Sequence, residues 1–158
     1  MANTPVLELK NIVKEFKVRQ SMFGKAKTVR VLDNITFSME AGDILSVVGE
    51  SGCGKTTVGK IVAGLLPRTS GDLSYDGKNV DLENRTTWPV FRKKVQMIHQ
   101  DPYTSLNPTQ RIYDIISAPL LRHGLAKGRK DAEAKVEELL KRVELSPPGD
   151  FINKYPHQ

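Results

Sequence analysis

The 158-residue sequence holds a single cysteine, Cys53. An internal disulfide is therefore excluded, and the composition fits a reducing compartment rather than a disulfide-framed secreted domain. No apolar run approaches the ~20 residues that a membrane-spanning helix needs. The start, with Asn3, Thr4 and Pro5 ahead of a strand-like segment, lacks the charged and apolar regions of a signal peptide, so the expectation is a soluble cytoplasmic chain. Aromatic residues make up only 6%, which leaves few rings for stacking on bases. The net charge of +6, from 24 Lys and Arg against 18 acids, is scattered, with local excesses only at Lys25, Lys27 and Arg30 and from Arg92 to Lys94. Nothing in that pattern marks a nucleic-acid interface. Internal repeats and low-complexity tracts are also missing.

What the sequence does have is concentrated in Gly49–Thr57, GESGCGKTT. Gly49, Gly54, Lys55 and Thr56 meet the pattern G-x-x-x-x-G-K-[ST] of a phosphate-binding loop, and the loop also holds Glu50, Ser51, Gly52 and Cys53. The chemistry explains the residue types. Glycines let the backbone turn tightly and approach an anion, so that bare N–H groups face it. A helix N-terminus behind the loop adds its positive dipole end, about 0.3–2 kcal/mol per anion contact, and the Lys55 ammonium reaches terminal phosphates as a point charge. Thr56 supplies a hydroxyl for Mg2+, and Thr57 its N–H and hydroxyl for an inner phosphate. The flanks agree. Ile44-Leu45-Ser46-Val47-Val48 predicts a parallel strand buried on both faces, and Val58, Ile61, Val62 and Leu65 predict one helical stripe that ends before Pro67.

Cys53 admits two readings: a small residue where only the backbone matters, or a thiol activated by the helix N-terminus and Lys55. ATP protection against alkylation would favour the second.

Along the rest of the chain, Val6 to Phe16 predicts a strand, Lys17 to Thr28 an exposed basic loop, and the alternation of Ile35, Phe37 and Met39 with Thr36, Ser38 and Glu40 a half-buried antiparallel strand. Asp76-Gly77 predicts a two-residue hairpin turn after Leu73 and Tyr75. Asn84 to Val90 predicts a loop leading into a short helix with the basic end Arg92-Lys93-Lys94, followed by a strand over Val95-Gln96-Met97-Ile98. Beyond Gln100-Asp101-Pro102 the pattern turns helical. Ile112, Ile115, Ile116 and Leu120 form one segment in which Pro119 should bend or break the helix, at about 3 kcal/mol. Val136, Leu139, Leu140 and Val143 form another that starts near Asp131, with Glu133, Glu137 and Glu138 facing solvent and Ser146-Pro147-Pro148 ending it.

With the phosphate loop, the Gln100-Asp101-Pro102 strand end and the closing Tyr155-Pro156-His157-Gln158 in hand, the chain resembles an ABC transporter ATP-binding subunit over nearly its whole length. Within that family it is most similar to the oligopeptide and dipeptide importer branch, through the basic loop around Met22-Phe23-Gly24-Lys25, the run from Val95 to Pro108, and Lys154 to Gln158. The resemblance implies an α/β fold: an incomplete P-loop NTPase (RecA-like) core with an antiparallel β layer in residues 1–100, and a Gln100-containing loop with a helical subdomain in 101–158. It implies ATP and Mg2+ as cofactors. It also implies a second ATP-binding subunit, identical or not, and transmembrane permease subunits as partners, at the cytoplasmic face of the membrane. Phe16 falls where the family places an aromatic that stacks on adenine, usually Tyr, so the π face is kept and the hydroxyl lost. Gln100 matches the glutamine that approaches Mg2+ and the attacking water and whose loop faces the membrane subunit. His99, where the branch commonly has Phe, reads as packing. With Lys55, Gln100 completes the expected catalytic pair, and with Thr56 the expected metal ligands.

The family continues with an LSGGQ signature, a strand ending in an Asp and a catalytic Glu, and a switch His, and none of these follows Gln158 here. Lys55, Thr56 and Gln100 do not hold the metal charge and orient water unaided, so the expectation is nucleotide binding without appreciable hydrolysis by these 158 residues. The strand at Ile44–Val48 is likewise expected to lack its neighbour and expose an apolar edge. The sequence then reads as part of a longer protein, a broken gene product, or half of a protein completed elsewhere. A guanine-specific enzyme would need N-K-x-D, but Asn153-Lys154 runs on into Tyr155-Pro156.

Overall fold

The computed structural model describes residues 4–19, 26–81, 87–101 and 105–158. They fall into two compact units, residues 1–97 and 98–158.

The first unit is built on a four-stranded antiparallel sheet in the order β2-β1-β3-β4, with β1 at Leu7–Arg19, β2 at Ala26–Met39, β3 at Ser70–Tyr75 and β4 at Lys78–Asn79. The β1–β2 hairpin is longer than expected: its strands extend to Arg19 and back from Ala26, because Lys17, Val18 and Arg19 pair with Thr28, Lys27 and Ala26. Met22 to Lys25 lie outside the described residues. Ile35, Phe37 and Met39 are half-buried and alternate with exposed Thr36, Ser38 and Glu40, as the period-two pattern requires. Asp76 (φ 48°) and Gly77 (φ 71°) are both left-handed, the geometry that closes a two-residue hairpin.

Helix α1 (Lys55–Val62) lays Val58 and Ile61 on this sheet, in a core with Leu7, Leu9, Ile12, Leu32, Leu73, Val80 and Phe91. It ends earlier than Pro67. Gly64 takes φ 65° and donates its N–H to the Ile61 carbonyl, while Leu65 N–H reaches back to Lys60, so Leu65 is left exposed beyond the helix. Helix α2 (Thr87–Lys94) already includes Trp88 and Pro89, since a proline in a first turn forfeits no helical hydrogen bond.

Two expected strands are absent. Residues 43–50 and 95–99 carry no ladder pairing, and Ile44 (95% exposed), Val48 (88%) and Ile98 (95%) stand in solvent. A parallel strand needs neighbours to accept its hydrogen bonds, and no parallel pair occurs among the described residues.

The second unit is helical: α3 (Ile112–Arg122), α4 (Arg129–Arg142) and α5 (Gly149–Ile152). Val136, Leu140 and Ile152 are its buried centre, backed by Ile112, Tyr113, Ile116, Leu120 and Phe151. Helix α3 runs through Pro119 instead of breaking there; Pro119 only lacks the N–H that would bond Ile115, and its carbonyl accepts from His123 N–H. Helix α4 starts at Arg129, with Asp131 in its first turn, and stops before Val143, which is exposed. Glu137 is half-buried, not fully solvated. The short α5 was not foreseen, being a single turn after two prolines. Among the described residues no helix is long and apolar enough to cross a membrane.

Candidate functional site

The loop between residue 48 and α1 closes on itself through its own lysine. The Lys55 ammonium donates to the carbonyls of Gly49 (2.7 Å) and Glu50 (2.6 Å) and lies 3.7 Å from Cys53 Sγ, while Cys53 N–H donates to Glu50 (3.3 Å). Gly54 stands at the N-cap with φ 105°, where no side chain caps the helix and the first turn holds no acidic residue. The first N–H groups of α1 therefore point outward with no side-chain acceptor, which is the arrangement that holds an anion. Thr56 is exposed, and neither its hydroxyl nor that of Thr57 has a partner among the described residues. The donor set suits phosphate oxygens and a hard divalent cation: outward N–H groups, one ammonium and a free hydroxyl.

Glycine is required at both ends of the loop. A Cβ on Gly49 would lie 2.7 Å from Cys53 Sγ, and one on Gly54 would lie 2.7 Å from Leu32 Cδ2 and 3.1 Å from the Val31 carbonyl oxygen. Glu50, Ser51, Gly52 and Cys53 form the exposed crown. The contact with Val31 and Leu32 anchors the loop to β2, where Leu32 pairs with Lys14 of β1.

Phe16 lies two residues further along that ladder, paired with Val29 and 36% exposed. Val29 and Val31 are two strand steps apart, about 7 Å along the backbone, so the partner of Phe16 in β2 lies one pleat repeat from the residue beside Gly54. Beside it the Arg30 guanidinium is tied to Glu15 and Asp33 (3.0 Å each), hydrogen bonds that raise its pKa above the ordinary value. Gln100 and His99 are exposed and belong to the second unit. Two residues that shape the site escaped the sequence reading. Leu32 is one, and Lys14 the other; the only signal for Lys14 was a cation set between the apolar Ile12-Val13 and Phe16.

The sequence profile of the ABC transporter family matches residues 32–158. The chain belongs to the ABC transporter family. Its relatives include the oligopeptide transport ATP-binding protein AppF of Bacillus subtilis, 39% identical over 155 residues, covering 97% of this chain and 46% of that protein. The dipeptide transport ATP-binding protein DppF of Haemophilus influenzae is 37% identical over 155 residues, with 98% and 46% covered. This ABC chain thus spans about half the length of the curated relatives it matches. A solved ATP-binding cassette, a post-hydrolysis dimer bound to ADP and Pi, superposes with a TM-score of 0.73 over 96% of this chain and 62% of that one, at 23% identity, which establishes the shared cassette fold.

Proposed function

We propose that the chain is the nucleotide-holding part of the ATP-binding subunit of an importer for peptides or related solutes. The observation that carries this is the loop itself: outward N–H groups at the start of α1, the Lys55 ammonium and the free Thr56 hydroxyl, all fixed to β2 through Gly54. In this reading the N–H groups of residues 54–57 and Lys55 hold the phosphates of ATP, Thr56 holds Mg2+, and Phe16 carries the base. Gln100 is the residue that the family resemblance assigns to the metal and the attacking water in the complete subunit. Bound Mg2+ would supply charge neutralisation at the terminal phosphates.

The peptide class rests on the names of the relatives, and the working assembly is a pair of ATP-binding subunits on a membrane permease at its cytoplasmic face. Closure around nucleotide would drive transport, and hydrolysis would reset it. In this reading the 158 residues alone bind nucleotide without steady turnover, since Lys55, Thr56 and Gln100 do not hold the metal charge and orient the water unaided. A second reading, a nucleotide-binding fragment with no catalytic role, predicts the same affinity and differs only in the intact subunit.

Cys53 gives a direct test, because it is the single cysteine and is exposed within the loop. Mg-ATP should slow its alkylation by a maleimide, and AMP should not. Equal alkylation rates with and without Mg-ATP would contradict the proposal.

A further inference from the structure

Lys14 is the one buried ionisable side chain among the described residues, 8% exposed. Its ammonium makes two contacts. It donates to the Pro67 carbonyl (2.7 Å), and it lies 5.0 Å from the centroid of the Phe16 ring. Burying a lysine costs desolvation and side-chain entropy, and an apolar residue would fill the same space in β1 more cheaply. What an apolar residue cannot do is hold a ring by its face.

The surroundings make this a fixed arrangement. Thr69 N–H donates to the Val13 carbonyl (2.8 Å) and Thr69 Oγ1 accepts from Glu15 N–H (2.9 Å), so the segment after α1 is stitched to β1 on either side of Lys14. On the other edge Lys14 pairs with Leu32, the residue against which Gly54 rests. The ammonium is thus referenced both to the segment after α1 and to the strand against which the phosphate loop rests.

We infer that Lys14 is a positioning residue for the nucleotide base: its ammonium covers one face of Phe16 and fixes the ring, leaving the opposite face for the purine. This rests on the reading of Phe16 as the adenine shelf. A held ring loses little freedom when a base stacks on it, and a cation–π contact on one face fixes its orientation.

The test separates base binding from phosphate binding. The affinities of ATP and inorganic tripolyphosphate, both with Mg2+, are measured on the 158-residue chain and on Phe16→Ala, Lys14→Gln and Lys14→Arg. Gln keeps a donor for Pro67 without the charge, and Arg keeps the charge, so loss of fold is not confused with loss of the cation; Trp88 fluorescence melts check folding. Phe16→Ala should weaken ATP about 5- to 10-fold and leave tripolyphosphate within twofold. Lys14→Gln should weaken ATP about 3- to 10-fold with tripolyphosphate unchanged, and Lys14→Arg should recover most of it. If Phe16→Ala leaves the ratio of the two affinities unchanged, the shelf reading fails and the inference with it. If Phe16→Ala shifts the ratio and Lys14→Gln does not, or weakens both ligands equally, the role assigned to Lys14 is wrong.

Discussion

Gly54 rests against Leu32: a Cβ at residue 54 would come within 2.7 Å of the Leu32 methyl, so the last glycine of the phosphate loop is locked to β2. Gly54→Ala meets both that clash and a left-handed backbone (φ 105°), together about 3 kcal/mol of destabilisation. Gly52→Ala, also at positive φ (81°) but with open space around it, should cost only the backbone term of about 1–2 kcal/mol. Thermal unfolding of the two variants, followed by Trp88 fluorescence, checks the order. Equal losses would mean that the Leu32 contact is not maintained.

The end of α1 makes a second demand. Gly64 lies under the Trp88 indole, where a Cβ would fall 2.2 Å from Cζ3. Gly64→Ala should lower stability by about 2–4 kcal/mol, and adding Trp88→Leu should recover part of it. Chemical denaturation of the single and double variants, followed by circular dichroism, measures that coupling.

The second unit carries a pH-dependent contact in the first turn of α4. Asp131 accepts from Lys127 N–H (2.8 Å) and from the Lys135 ammonium (3.2 Å), which holds its pKa below the usual carboxylate value, with the Lys127 hydrogen bond the largest cause. A lowered folded-state pKa contributes stability that is complete above the unfolded-state value and is lost as pH falls through the folded one. The Lys127 amide resonance should therefore move with a midpoint below the ordinary carboxylate range in an NMR titration. Asp131→Asn should abolish that transition.

Ile44 and Val48 stand almost fully in solvent within a short branched run that carries no charge after Asp43. Such a segment is a template for intermolecular pairing. The purified chain should self-associate with rising concentration in sedimentation experiments, and Ile44→Lys should shift the distribution towards monomer.

Features set by short-range chemistry were legible in the sequence. The Asp76-Gly77 turn, the alternation along β2 and the loop from Gly49 to Thr57 each follow from a few neighbouring residues. Ile44–Val48 and Val95–Ile98 were misread because an apolar branched run states only a preference for a strand; pairing is a long-range fact. The end of α1 falls earlier than the sequence pattern implies because Pro67 is the stronger stop signal in the sequence, whereas Gly64 does the stopping beneath Trp88. Lys14 was passed over because a lysine in a strand usually faces solvent, and only the fold shows it turned inward against Phe16 and Pro67.

The central claim, that residues 49–57 form a working phosphate site, is tested most directly by titrating a fluorescent ATP analogue with Mg2+ into the 158-residue chain and its Lys55→Ala variant. Saturable binding that weakens at least 10-fold in Lys55→Ala is the predicted result, since that change removes the one ammonium in the loop. Binding unaffected by Lys55→Ala, or no binding by a chain whose Trp88 melt shows a folded first unit, would contradict it.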